Sequence, residues 1–155
     1  MVKVSTETPV FEITLRKYEK PESVSGRDLV KKICLSLGLL QPGDSRDVIV
    51  DILYVLLKRR PKGFTSQELE KEVIKFREQN KLALLGIASS NIRRQLRRLR
   101  ALFIVEKTLK RYRITEGDAL VAIFSERIKS FLLPSTLSRV EEYLTAADAE
   151  FSKKR

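Results

Sequence analysis

Arg93, Arg94, Arg97, Arg98 and Arg100 crowd eight consecutive residues, and no acidic residue occurs between positions 82 and 105 to neutralise them. A guanidinium is a planar fork of donors that meets carboxylates, phosphates and the O6/N7 edge of guanine. Placed at 100° intervals, Ile92, Leu96, Leu99 and Phe103 share a narrow arc, while Ser90, Arg94, Arg97 and Ala101 lie opposite, with Asn91 and Arg98 at the margin. The pattern is a helix opened by Ser89 and Ser90, buried on one side and offering small, polar and then cationic side chains on the other. Such a face suits a DNA major groove, where Arg bonds guanine and Asn bonds adenine. Arg93 and Arg100 on its flanks suit phosphates. A solubilising surface would use the same residue types, but here no acids are interspersed to pair with them.

The elements that must hold this helix can be read on either side of it. After it come two short β-prone runs, 103–106 and 111–115, joined by a basic turn at 107–110 and followed by a new helix start at 115–118. Tyr112 and Ile114 alternate with Arg111 and Arg113, so Lys107, Lys110, Arg111 and Arg113 are expected on the outer side of a hairpin, within reach of a phosphate backbone or minor groove. Upstream, Asp44 or Ser45 is expected to cap a helix to about residue 58, with Val48, Ile49, Ile52, Leu53, Leu56 and Leu57 on its apolar face. A turn at 61–64 leads to a second helix capped by Thr65 or Ser66, with Glu68 in its first turn and Leu69, Val73, Ile74 and Phe76 inward. The apolar stretch 82–87 is expected to fold over the core.

Charge is segregated along the chain. Of 31 Lys and Arg and 20 Asp and Glu, residues 58–113 hold 17 of the bases and 5 of the acids. The overall excess of +11 therefore belongs to one segment, the footprint expected for phosphates.

The ends read as additions to this middle. Phe11, Ile13 and Leu15 alternate with polar residues as a half-buried strand would, and Ser25 is placed to cap a helix carrying Leu29, Val30, Ile33, Cys34 and Leu37 to about Gly38. At the other end a helix over 119–133 is expected to stop at Pro134. A second helix follows, with Leu137, Val140, Leu144, Ala147 and Phe151 in a 3-4-3-4 stripe. The stripe either covers its own domain or pairs two copies; pairing is the expectation, because two-fold symmetry gives DNA binders affinity and half-site spacing. The chain divides into an accessory strand and helix at 1–43, a DNA-binding domain at 44–117 and C-terminal helices at 118–155.

The inventory also excludes chemistry. Histidine is absent, the single cysteine, Cys34, lies in an apolar stretch, and the six glycines are dispersed outside any phosphate-loop pattern. No catalytic residue, metal site or cofactor is expected, and the chain is not expected to be an enzyme. The most apolar run, 48–57, is interrupted by Asp51 and too short for a bilayer, and the N-terminal stretch lacks the apolar core of a signal peptide. A cytoplasmic, nucleoid-associated protein without membrane contact is expected.

Residues 87–117 resemble the recognition helix and wing of winged helix-turn-helix transcriptional regulators, particularly small prokaryotic and archaeal ones. The resemblance rests on Ile92, Leu96 and Leu99, then on Tyr112-Arg113-Ile114-Thr115-Glu116-Gly117, the Tyr-Arg-Leu-Thr-Glu-type sequence that ends such hairpins. It covers about residues 44–117, with Leu102 and Phe103 standing where a glycine commonly precedes the wing. It implies a mainly α chain with a small β-hairpin (α+β), a winged helix with N- and C-terminal extensions. The implied partner is double-stranded DNA, bound by a homodimeric regulator. A winged-helix module docking a protein of the transcription, replication or chromatin machinery is the alternative. RNA is less favoured, because the basic region lacks aromatic platforms for single-stranded bases.

Overall fold

In the computed structural model, which describes residues 6–152, an extended segment leads into α1 (Gly26–Ser36), α2 (Val48–Lys58), α3 (Ser66–Gln79) and α4 (Ser89–Ala101). A two-stranded antiparallel sheet follows, β1 (Val105–Thr108) and β2 (Arg111–Ile114), and then a long helical run begins with α5 (Leu120–Ile123). The expectation of a mainly helical chain with a small hairpin holds. The outermost parts of the first and last segments, residues 1–5 and 153–155, lie outside the described residues.

The centre of the core is α2. Its sequence VIVDILYVLLK is apolar on nearly every side, and Val48, Ile49, Val50, Ile52, Leu53, Val55 and Leu56 are all buried, packed by α1, α3, α4 and β2. Its N-cap residue is Asp47, not Asp44 or Ser45, and the Asp47 side chain makes no capping bond. The carboxylate is turned sideways instead. Asp47 lies 3.0 Å from Arg27 Nη2, within ion-pair reach though outside hydrogen-bond geometry, and accepts a 3.3 Å bond from Arg77 Nη1. Asp51, fully buried one turn on, accepts from Arg27 Nε (2.8 Å) and from Arg77 Nη1. Two aspartates and two arginines thus cross-link α1, α2 and α3 inside the core, where removing one partner would strand a buried charge.

The accessory segment departs from expectation. Residues 10–18 are extended but form no strand, and the alternation fails after Ile13, with Leu15 exposed and Arg16 turned inward. The reason is the end of α1. Its last carbonyls need donors, and Arg16 supplies two, its guanidinium bonding Leu35 O (2.8 Å) and its backbone N–H Ser36 O (2.9 Å), while the guanidinium also reaches Leu40 O (3.3 Å) in the loop beyond. Gly38 (φ +70°) lets the segment cross closely: a Cβ there would stand 2.5 Å from Thr14 Cβ. At the start of α1, Ser25 occupies the N-cap without a side-chain capping bond.

Of the two expected caps Thr65 is the N-cap of α3, and with Glu68 it forms a capping box, the Thr65 N–H donating to Glu68 Oε1 (2.9 Å) and the Glu68 N–H to Thr65 Oγ1 (3.1 Å). The loop from α3 to α4 differs from expectation, because Leu84 and Leu85 are exposed. Arg77 Nε bonds Ala83 O at 2.6 Å, so it is the loop's backbone that turns to the core, leaving these leucines outward.

The strands pair Val105 with Ile114 through Thr108 with Arg111, which places Lys107 in β1 and leaves a two-residue turn at Leu109 and Lys110. Phe64 adds one bridge beside Tyr112, with reciprocal bonds of 2.9 and 2.7 Å. The C-terminal expectation of two helices parted at Pro134 is overturned. From α5 the chain passes through a wide-turn π-helical segment, Phe124–Leu132, into α6 (Leu133–Phe151), with right-handed helical backbone at each junction. Pro134 falls just inside α6, directly after the wide-turn segment, and the Thr136 hydroxyl donates to Leu132 O (2.8 Å). α6 buries none of its residues, so its stripe does not cover its own domain. No helix among the described residues is long and apolar enough to cross a membrane.

Candidate nucleic-acid interface

α4 is fixed from beneath. Ile92, Leu96 and Leu99 are buried against α2 and α3, and Gln95 is buried with them. Its C-terminus is locked by paired bonds, Phe103 N–H to Arg100 O (2.9 Å) and Ile104 N–H to Leu99 O (3.2 Å), the Schellman arrangement. That motif asks for a left-handed residue, and Phe103 adopts φ +62° where glycine would be unstrained. Its ring is therefore outside the buried arc the sequence suggested, half-exposed under the Arg127 guanidinium 5.5 Å away, and its carbonyl accepts the Thr115 hydroxyl at 2.5 Å.

The candidate side chains divide into free and engaged groups. Arg93, Arg94, Arg97 and Arg100 are exposed, and among the described residues none of them, nor Arg98, has a carboxylate within ion-pair distance. Ser90 is exposed at the helix start, beside Ser89, whose hydroxyl donates to Glu70 Oε2 (2.7 Å); Ala88 is the N-cap residue. Asn91 is half-buried, its amide donating to Gly86 O (2.7 Å) while its oxygen accepts from Arg94 Nη2 (2.9 Å) and Gln95 Nε2 (3.0 Å). Asn91 therefore tethers Arg94. Arg98 leans off the exposed face, donating to Gln95 Oε1 (2.8 Å) and Gly38 O (3.3 Å). Burial lowers its pKa from the ordinary arginine value, and the neighbouring Arg94 charge lowers it further.

The hairpin is less cationic than its sequence. Arg111 pairs with Glu68 (3.0 Å), and Arg113 with Glu106 (2.6 Å). Burial raises the Glu106 pKa, but the Glu116 N–H and Arg113 outweigh it and leave the carboxyl below its usual range. Lys107 sits over the Tyr112 ring at 5.3 Å, and Lys110 is exposed. At the tip, Leu109 (φ +50°) and Lys110 (φ +68°) both adopt left-handed backbone, and Leu109 is 92% exposed. A two-residue hairpin turn of this kind ordinarily carries Asn-Gly. Sequence reading took 107–110 as a basic turn and passed over this leucine.

The candidate pairing residues Leu137, Val140, Leu144, Ala147 and Phe151 all lie exposed along α6. Cys34 is buried against the core, which pushes its thiol up to about 12. Among the described residues, no group of three or more His, Cys, Asp or Glu side chains is placed to hold a metal ion. Sequence reading also missed the Asp47/Asp51/Arg27/Arg77 network that fixes the platform under α4. Its available signal was an aspartate inside the most apolar run of the chain. No protein-family model, curated protein or solved structure matches the chain.

Proposed function

We propose that the chain is a double-stranded DNA-binding protein of the winged helix-turn-helix type that acts as a dimeric transcriptional regulator. The observation that carries this reading is the outer face of α4: exposed arginines without internal counter-ions, on a helix whose opposite side is locked into the core. A rigid cationic face of this kind releases counterions from DNA when it docks, and docks without first ordering its own backbone. α4 enters the major groove, Arg94 and Arg97 reach base edges beside Ser90, and Arg93 and Arg100 take flanking phosphates. The β1–β2 hairpin acts as the wing, with Lys107 and Lys110 its uncommitted cations; Arg111 and Arg113, already paired with glutamates, contribute less. α6 pairs two copies through its exposed stripe, giving the two-fold symmetry that sets half-site spacing.

The test is selection of bound sequences from a random duplex pool at near-physiological salt, followed by salt titration on the enriched site. An enriched, palindromic site with steep salt dependence is the expected result. Salt-sensitive binding without sequence preference would make the protein an architectural component, and absence of binding would make the α4 face a docking surface for an acidic protein.

A further inference from the structure

Beside the outer face of α4 lies a cleft of about 410 Å³, between that helix and the segment joining α1 to α2, with Leu39, Leu40 and Ile49 on its apolar side. Arg46, Arg94 and Arg98 line it together with Gln41, Asp44 and Asn91. Two of the guanidinium groups are held by neutral side chains or backbone carbonyls. Arg98 donates to Gln95 Oε1 and Gly38 O, Arg94 donates to Asn91 Oδ1, and the turn carrying Arg46 is set by its backbone N–H bonding Asp44 Oδ1 at 2.9 Å. Among the described residues, no carboxylate lies within ion-pair distance of any of the three guanidinium groups. Arg98 is partly desolvated in this position and still has unused N–H groups, because each bond takes one of the two hydrogens on its Nη atoms.

Three cations facing one space against a single aspartate describe an incomplete electrostatic site. A carboxylate is planar and is satisfied by one bidentate arginine. A phosphate is tetrahedral and accepts from several forks at once. We propose that this cleft is a phosphodiester seat in which a phosphate enters between Arg46 and Arg98, while Arg94 at the rim stays with the base edges, so that the nucleic-acid contact extends from α4 onto residues 41–46. This deepens the DNA-binding reading and rests on it for the source of the phosphate. It also assigns Arg98 to the backbone and adds Arg46, which lies outside the arginine-rich segment.

The experiment compares the full chain with Arg46→Ala, Asp44→Asn and, as control, Arg139→Ala on α6. Arg46→Ala is expected to reduce the slope of log affinity against log salt for duplex DNA by about one. Asp44→Asn keeps an oxygen for the Arg46 N–H while removing the opposing charge, and is expected to tighten binding severalfold at low salt. Misfolding cannot imitate that gain. Arg139→Ala should change neither quantity. In parallel, inorganic pyrophosphate is titrated into the ¹⁵N-labelled full chain, and the Nε–Hε resonances of Arg46 and Arg98 are expected to move before that of Arg139. Duplex binding with an unchanged Arg46→Ala slope and unmoved resonances overturns the seat and leaves the DNA reading intact. Pyrophosphate shifts without any duplex binding overturn the DNA reading and make the cleft a site for a free phosphate compound. Neither response overturns both.

Discussion

α4 and α6 are both amphipathic, both long enough to be read from spacing alone, and opposite in fate. The apolar stripe of α4 is buried to completion by α2 and α3, and every charge on its other face is positive. The stripe of α6 is left in solvent, with Leu144 60% and Phe151 76% exposed, and its polar face carries Glu141, Glu142, Asp148 and Glu150 against Arg139. An amphipathic pattern therefore states that a helix needs a partner surface without stating which molecule provides it. For α4 the apolar partner is internal and the polar face is what remains for another molecule. For α6 the apolar face itself remains. An uncovered apolar stripe of this size is a place where association adds stability.

The contrast can be broken first at the frame beneath α4. Arg77→Leu leaves the buried Asp51 and Asp47 with Arg27 as their remaining guanidinium partner and should cost about 3–5 kcal/mol of unfolding free energy, measured by urea denaturation. Arg139→Leu, which removes an exposed ion pair on α6, should stay within about 0.5 kcal/mol. Comparable losses would mean that α6 is as embedded in solution as α4. Next come the two stripes. Leu96→Ala should cost about 2–5 kcal/mol, whereas Leu144→Ala should leave the dilute monomer nearly unchanged. Leu144→Glu should yield a folded monomer with weaker DNA binding by sedimentation and titration; an unaltered molecular mass would remove this stripe as a dimer contact.

On the polar side, Arg94→Ala and Arg97→Ala should retain stability while losing about 1–3 kcal/mol of affinity each at particular bases. Equal losses on every duplex would move them to phosphate contacts. Acid sharpens the difference further. Burial pushes the Asp47 pKa up, but Arg27 and Arg77 together outweigh it and leave the group below 3.8. A carboxyl with a depressed folded pKa stabilises the fold fully above its unfolded value and loses that contribution as pH falls through the folded one. Stability should therefore decline below about pH 4, and Asp47→Asn should flatten this part of the profile, whereas Glu142→Gln on α6 should not. The smallest effect is expected at the hairpin tip. Leu109→Asn suits the left-handed turn and should raise stability by about 0.5–1 kcal/mol, read as a higher thermal midpoint.

Much of the frame was legible because it rests on local signals. The cap at Thr65 or Ser66 with Glu68 in the first turn, the spacing of Ile92, Leu96 and Leu99 and the alternation around Tyr112 each lie within a turn or two of chain, and each is realised. The failures share a different cause. Residues 10–18 alternate like a strand but meet the carbonyl end of a helix instead of a strand edge, and Arg16 goes where those acceptors are. Leu84 and Leu85 are apolar enough for a core, yet Arg77 turns the backbone of their loop inward. Pro134 reads as a helix breaker, yet the chain reaches it through a wide-turn segment and stays helical on both sides.

For the candidate site the division is finer. The helical wheel put Asn91 and Arg98 at the margin of the outer face but could not show that Gly86, Gly38 and Gln95 engage them. It could not show either that Glu68 and Glu106 neutralise Arg111 and Arg113.

By itself the sequence determined where α1 to α4 form, which side of each is apolar, and that the excess positive charge belongs to residues 58–113, because periodicity, capping and charge are properties of neighbouring residues. Only the tertiary structure decided which charges are already paired, which apolar stripe is left uncovered, and that Arg46 joins Arg94 and Arg98 around one cleft. Those outcomes depend on contacts between residues far apart in the chain, such as Arg98 with Gly38 and Arg77 with Asp47, and a buried donor or charge takes whichever partner the fold brings within about 3 Å.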